Sequence, residues 1–334
     1  MQVNALSYEK VHTEKKRSQL KSELRKISDH ILATYTLEYP LQYCPCCDSK
    51  EITYYIHKYG FQLDRCTTCQ HIFTNPFPSK EALLDYYNSD FKSFENEFFM
   101  ESFESRIPIF EERIRLIQNF RTRGHILDIG SSIGIFIEAN ERLGRPFEIT
   151  ACDINAESCA YLRDKYRHIR VLHIDVSEIT LGPYEIVTLW DTIEHITNPI
   201  PFLDSIRGLL TKDGVFIFST PNTDSFEWVT MGTDHIQLLP PGHVNLYNKT
   251  NINLLLKRCG FQIEKIYTMN PILDLSYVRY VFKSEIDDDS HSARALRELL
   301  GVCLSDEGIL QPLVDNMRAN LLGGNMLVVA RMSE

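Results

Sequence analysis

Residues 124–136 read Gly124-His-Ile-Leu-Asp128-Ile-Gly130-Ser-Ser-Ile-Gly134-Ile-Phe136, and their order decides the fold. Ile126, Leu127 and Ile129 form a short apolar run that stops at Gly130, and a helical apolar pattern begins just after Gly134. That pattern reads as a buried parallel strand, a tight turn and a helix start, where an open α/β sheet binds its ligand. Glycine lets the turn take positive φ and approach a ligand closely. A dinucleotide site needs G-x-G-x-x-G, but Ser132 and Ile135 stand at the second and third glycine positions. Asp128 would also repel a pyrophosphate. It suits a cationic ligand without phosphate, and S-adenosylmethionine, with its ammonium and sulfonium, has that chemistry.

The 334 residues predict one core domain with smaller attachments. A hydrophobic content of 43% and a charged content of 24% are ordinary for a globular chain. No apolar run approaches the ~18 residues of a membrane span. The N-terminus lacks the apolar centre of a signal peptide, so the expected compartment is the cytoplasm. With 35 basic against 45 acidic side chains the net charge is −10, which disfavours a general nucleic-acid binder.

Upstream, residues 8–38 read as a charged helix with an apolar stripe at Leu20, Leu24, Ile27 and Ile31 that packs on the body or on a partner subunit. Cys44-Pro-Cys-Cys47 and Cys66-Thr-Thr-Cys69 then give two C-x2-C units flanking a hairpin at Tyr54–Tyr59 and Phe61–Leu63. This is the pattern of a closed, structural zinc site with Cys44, Cys47, Cys66 and Cys69 as ligands. A disulfide pair is the alternative, disfavoured in a reducing compartment. Cys46 leaves the register of the first pair open, and His71 reads as a bystander. Ser79 caps a helix after Pro76 and Pro78. Phe91, Phe94, Phe98, Phe99 and Phe103 suit either a lid or linker packing.

Downstream, strands are expected at Phe147–Asp153, Val171–Val176, Glu185–Trp190 and Val215–Asn222, the last after a Lys212–Gly214 turn. Phe261–Met269 and Asn325–Met332 would close the sheet as an antiparallel hairpin, interrupted by a helical insertion at 273–320 that serves as a lid or an oligomer contact. Acids at strand tips, Asp153 and Asp175, are placed to meet ribose hydroxyls and an adenine amino group.

Leu127–Gly134, Asp153, Asp175, Trp190-Asp-Thr-Ile-Glu-His195 and Phe218-Ser-Thr-Pro-Asn222 together resemble class I S-adenosylmethionine-dependent methyltransferases over about residues 110–272 and 323–332. Asp191–Pro199, Pro241-Gly-His243 and Gly260-Phe261 resemble the small-molecule branch, which includes ubiquinone-pathway O-methyltransferases and sugar methyltransferases. The four-cysteine ribbon running into Asn75-Pro-Phe-Pro78 and Tyr86-Tyr87 resembles bacterial members, including deoxysugar C-methyltransferases. Ser132 departs from the glycine common there. The resemblance implies a Rossmann-like seven-stranded core preceded by an N-terminal helix and a zinc ribbon. It also implies a cofactor site of Asp128, Gly130, Ser131, Gly134, Asp153, Ile154, Asp175, Val176, Trp190 and Asp191.

Methyl transfer from an activated donor depends mainly on alignment, with a general base added for a hydroxyl acceptor. The 223–247 loop supplies the candidates. His243 is the first choice, because its position resembles one that family members keep as histidine. His235 is the fallback, and Tyr247, one helical turn on, would position the acceptor. His195 reads as structural or cofactor-side.

The expected domains are an N-terminal helical segment (1–39), a zinc ribbon (40–76), a helical linker or lid (77–122) and the methyltransferase domain (123–334). The expected function is methyl transfer to an oxygen or activated carbon of a small biosynthetic intermediate, with S-adenosylmethionine as cofactor and structural zinc. A homodimer through the N-terminal helix or the 273–320 insertion is a further expectation. One rival is an RNA methyltransferase, disfavoured by the charge and by the lack of an Asn-Pro-Pro-Tyr type base-amino site. The other is a non-catalytic S-adenosylmethionine-binding or interaction module, which a 223–247 loop facing away from the donor would favour.

Overall fold

The computed structural model describes residues 14–269, 271–284 and 291–333. The N-terminal decapeptide and the first turns of the 8–38 helix lie outside the described residues. The described helix, α1 (Glu14–Thr34), buries Leu24, Ile27 and Ile31 against Phe61, Tyr86 and Phe91. Its stripe therefore packs on the body of the same chain. Among the described residues no helix is long and apolar enough to cross a membrane.

The cysteine segment forms an antiparallel hairpin, β1 (Ile52–Lys58) and β2 (Phe61–Cys66), followed by β3 (Ile72–Thr74). Three helices then lead to the core: α2 (Lys80–Tyr87), α3 (Asp90–Glu101) and α4 (Phe103–Gln118). Ser79 caps α2, its Oγ accepting from the Ala82 N–H. Phe91 is buried against α1 and Phe103 in the central core, so packing between helices accounts for much of the aromatic density here.

The core sheet runs through β4 (His125–Ile129), β5 (Glu148–Cys152), β6 (Arg170–Leu172), β7 (Tyr184–Trp190) and β8 (Leu210–Pro221). The intervening helices are α5 (Ile135–Arg142), α6 (Ala156–Lys165) and α7 (Pro199–Leu209). The chain continues through α8 (Phe226–Met231), β9 (Asn245–Leu246), α9 (Lys249–Arg258) and β10 (Phe261–Met269). Three helices, α10 (Pro271–Ser284), α11 (His291–Ser305) and α12 (Glu307–Ala319), precede β11 (Asn325–Met332). The seven-stranded order is β10-β11-β8-β7-β4-β5-β6, with β11 antiparallel to both neighbours and the other pairs parallel. Ile126 and Leu127 are fully buried because helices cover both faces of a parallel sheet. The direction of winding reverses between β4 and β7. The crevice at that switch point is where doubly wound sheets bind their ligands.

Three local readings differ. β6 stops at Leu172, because the Asp175 carboxylate accepts from the Ser177 N–H and Oγ–H and caps a 3₁₀ turn instead of extending the strand. β8 starts at Leu210, before the Lys212–Gly214 turn, with a shift of register against β7. The 223–247 segment contains α8, a 3₁₀ turn at Gly232–Asp234 and β9, so it is structured. Its end is extended, so Tyr247 does not follow His243 by a helical turn. β9 pairs with β3, giving the ribbon sheet the order β1-β2-β3-β9. The cysteine ribbon therefore shares a sheet with the segment that carries His243.

Candidate active site

The turn after β4 takes the conformation its glycines permit. Gly130 has φ +76°, and a Cβ there would lie 2.5 Å from Thr192 Oγ1. Gly134 has φ +79°, and a Cβ there would meet Leu162 at 2.6 Å. Ser132 also lies in the left-handed region, at φ +46°, and its N–H donates to Asp153 Oδ2 at 2.8 Å. Asp153 Oδ1 accepts from the Asn155 N–H at 2.8 Å, so two backbone donors orient this carboxylate beside the turn.

Asp128 lies beneath the turn and is 1% exposed. Its Oδ1 accepts from Thr188 Oγ1 at 2.7 Å, while Oδ2 is buried without a partner. Burial pushes this carboxyl up to about 7, offset in part by hydroxyl donors. A buried carboxylate oxygen without a donor is costly unless a ligand supplies one. Arg113 of α4 approaches the same region. Its guanidinium lies over the rings of Phe110 (4.3 Å) and Trp190 (4.8 Å), and Nη2 is 3.6 Å from Asp191 Oδ2. Nε and Nη1 are buried without partners. An acceptor at Asp128 and donors at Arg113 match the two charges of an amino-acid zwitterion.

The sequence reading passed over Arg113. The available signal was its position on the apolar stripe of α4, among Phe110, Ile114 and Ile117, where a solvated arginine does not belong. Trp190 is buried between Phe110 and Phe136, its indole N–H unpartnered. Asp191 follows with φ +52° and accepts from Ser219 Oγ (3.0 Å) and Asn325 Nδ2 (2.8 Å). A non-glycine residue held there is the kind of strain that collects at functional sites. On the other flank, Ser131 and Val176 are buried, the Ile154 carbonyl accepts from His173 Nε2, and Asp175 is exposed.

The histidines divide sharply. His243 donates Nδ1–H to the Gln237 carbonyl at 2.9 Å, leaving Nε2 as the ring's acceptor. Burial lowers its pKa, so the imidazole is neutral at pH 7. Its ring stands edge-on to His195 at 4.7 Å, and His195 Nδ1 donates to the Gly242 carbonyl at 2.9 Å. Glu194 joins them: Glu194, His195 and His243 each offer a ligand-type atom within 4.8 Å of the others. Glu194 is fully buried, with Oε2 accepting from Thr220 Oγ1 and Oε1 unpartnered, and burial followed by repulsion from Asp191 raises its pKa. The cluster is rich in acceptors, which suits it to take a hydroxyl proton or hold a cation. Tyr87, also missed as a site residue, packs its ring edge against His195 at 6.0 Å, with its hydroxyl buried and unpartnered.

His235 and Tyr247 are placed otherwise. His235 is 2% exposed, its Nδ1 accepts from the Gln237 N–H, and Nε2 donates to Glu227 at 3.1 Å. Both ring nitrogens are engaged, so no lone pair is left to take a proton. Tyr247 is fully buried, with its ring stacked on His71 at 5.1 Å. It belongs to the packing beneath the loop.

The cysteines come together as a separate cluster. The sulfurs of Cys44, Cys47, Cys66 and Cys69 lie within 4.8 Å of one another, with Cys44–Cys69 and Cys47–Cys66 both at 3.6 Å. A tetrahedron with Zn–S of ~2.3 Å has edges of about 3.8 Å, so the spacing fits that ion. It is far from a disulfide's ~2.05 Å. Cys46 is buried outside the set of four, and burial raises its pKa.

Known proteins point the same way. A family model described as a methyltransferase domain matches residues 103–266. A ubiquinone biosynthesis O-methyltransferase of Actinobacillus pleuropneumoniae serotype 5b (strain L20) is 27% identical over 169 residues, 45% of this chain and 71% of that protein. One of the same name from Acinetobacter baumannii (strain SDF) is 24% identical over 186 residues, 48% of this chain and 78% of that one. Among solved structures, the plantazolicin methyltransferase BpumL in complex with SAH aligns with a TM-score of 0.49 at 14% identity, over 75% of this chain and 94% of that one. Sequence motifs, the family model and the sequence relatives agree: over residues 103–266 the chain carries a methyltransferase domain of the S-adenosylmethionine-dependent class.

Proposed function

We propose that the protein transfers the methyl group of S-adenosylmethionine to a hydroxyl, or to a carbon next to a carbonyl, of a small biosynthetic intermediate. The observation that carries this reading is the His243 imidazole. It is neutral, fixed by its Nδ1–H bond to Gln237, and grouped with His195 and Glu194 near the carboxyl edge of the sheet. Asp128 and Arg113 hold the ammonium and carboxylate of the methionine end, and Asp153 accepts the ribose hydroxyls. The turn at Gly130, Ser131 and Gly134 and the residues Ile154, Asp175, Val176, Trp190 and Asp191 complete the cofactor site. The donor supplies an activated methyl, so the chain's contribution is alignment and removal of the acceptor's proton. The 27% identity to an enzyme named for ubiquinone biosynthesis supports a quinone-like acceptor, with a sugar or other natural product as the other class to test.

Calorimetry with S-adenosylhomocysteine tests the cofactor half. The ligand should bind, and Asp153→Ala should weaken it by ~1.5–3 kcal/mol, the scale of hydrogen bonds to a charged group. Unchanged affinity in the variant would remove Asp153 from the site. Turnover screens across phenols, quinols and sugar nucleotides test the acceptor half.

Cys44, Cys47, Cys66 and Cys69 would hold a structural zinc, which braces the ribbon and takes no part in the chemistry. Elemental analysis should find about one zinc per chain, lost or much weakened in Cys66→Ser. Metal-free protein with an intact ribbon would refute the assignment.

A further inference from the structure

We infer that His71 is a positioning residue that ties the four-cysteine cluster to the strand after His243, so that the metal state of the ribbon governs the acceptor side of the site and leaves the cofactor side alone. The inference rests on the reading of His243 as an acceptor-side residue. The sequence offered His71 as a bystander, and it is absent from the group of four sulfurs. Yet it is completely buried, with Nδ1 3.8 Å from Cys44 Sγ. Its ring is sandwiched between Phe73 (5.3 Å) and Tyr247 (5.1 Å), each tilted by only 18°. Nε2 has no partner, so among the described residues the Cys44 sulfur is the ring's one polar contact.

Four metal-bound thiolates carry excess negative charge, and an N–H aimed at one of them is a charge-assisted bond. Losing that charge leaves a buried imidazole with neither nitrogen well partnered, which is costly. The ring would move, and Tyr247 is stacked on it.

Backbone continuity carries the effect to the site. Ile72 and Phe73 pair with Leu246 and Asn245, and Thr74 N–H donates to the Val244 carbonyl at 2.9 Å. Val244 N–H in turn donates to the Glu194 carbonyl at 2.9 Å. The residue after His243 is therefore held between the ribbon and the Glu194–His195 turn. Tyr247 bridges Asn222, and its carbonyl accepts from the Thr223 N–H, which fixes the far end at β8. The cofactor turn after β4 takes no hydrogen bond from the ribbon: the Gly130 and Ser131 N–H groups go to Cys152, and that of Ser132 goes to Asp153.

Hydrogen exchange read by mass spectrometry on the full chain tests this, with S-adenosylhomocysteine affinity as the second readout. Stripping zinc with a chelator should raise exchange across 243–247 by ~10-fold or more, while 126–129 and the affinity stay within twofold. Two variants separate the two contacts of His71. His71→Phe keeps the stack and loses the donor, so zinc should dissociate ~10–100-fold faster. His71→Asn keeps a donor near the Nδ1 position and loses the stack, so 243–247 should exchange faster with zinc retained. Variants matching wild type in both readouts would overturn the role of His71. Equal deprotection of 126–129 on chelation would overturn the coupling, because the ribbon would then brace the whole fold. Failure of His243 as the base shows instead as undiminished turnover in His243→Ala, which these readouts do not involve.

Discussion

His243→Ala is expected to lower kcat by ~10²-fold or more on a hydroxyl acceptor while leaving the affinity for S-adenosylmethionine nearly unchanged. The expectation follows from the tautomer. With Nδ1–H committed to the Gln237 carbonyl, Nε2 is free to take a proton, and burial keeps the ring neutral at pH 7. Because burial lowers its pKa below the ordinary histidine value, the acid limb of kcat should lie at lower pH than that of an exposed histidine. His235→Ala should act through stability instead, since its ring is sealed in a bond with buried Glu227. A His243→Ala enzyme with full turnover, or one that loses cofactor binding in proportion to rate, would assign this imidazole a packing role. Alignment alone would then carry the transfer.

Arg113→Ala should weaken S-adenosylmethionine binding by ~2–4 kcal/mol, or roughly 30- to 1,000-fold, with a smaller change in the transfer step. Two unpartnered N–H groups on a buried guanidinium would lose a carboxylate, and Asp128 would lose a compensating positive charge. The second loss predicts a shift in pH dependence. The ligand's ammonium needs Asp128 ionised, so wild-type affinity should hold above pH 7 and fall by up to tenfold per unit below it, as the carboxyl near 7 takes a proton. In Arg113→Ala that limb should move to higher pH. Calorimetry across pH 5.5–8.5 would show this; a limb unchanged by the substitution would remove the coupling to Asp128, and unchanged affinity would remove the contact with the ligand.

The strand, turn and helix start of the proposed cofactor side were legible in the chain because they are local. A strand, a glycine turn and a helix start put Asp128, Gly130 and Gly134 within seven residues of one another. The strand tips at Asp153 and Trp190-Asp191 follow from hydrophobic runs whose ends a parallel sheet aligns on one edge. The cysteine cluster was equally legible, since each C-x2-C turn directs both of its sulfurs to one point.

The proposed acceptor side depends on tertiary structure. Whether a histidine keeps a free lone pair depends on what its other nitrogen meets, and the partners of His243, His195 and His235 come from backbone carbonyls and a carboxylate that sequence spacing does not mark. Arg113 meets Trp190 and Asp191 only because α4 crosses them in the fold. Tyr247 does not lie one helical turn beyond His243, because the ribbon recruits 245–246 as a strand. That pairing joins residues more than 170 positions apart, and backbone hydrogen bonds of this kind carry no side-chain signature. The sequence by itself determined the cofactor class and the metal-type cluster. Only the packing of ribbon against loop decided which side chains surround the proposed acceptor side.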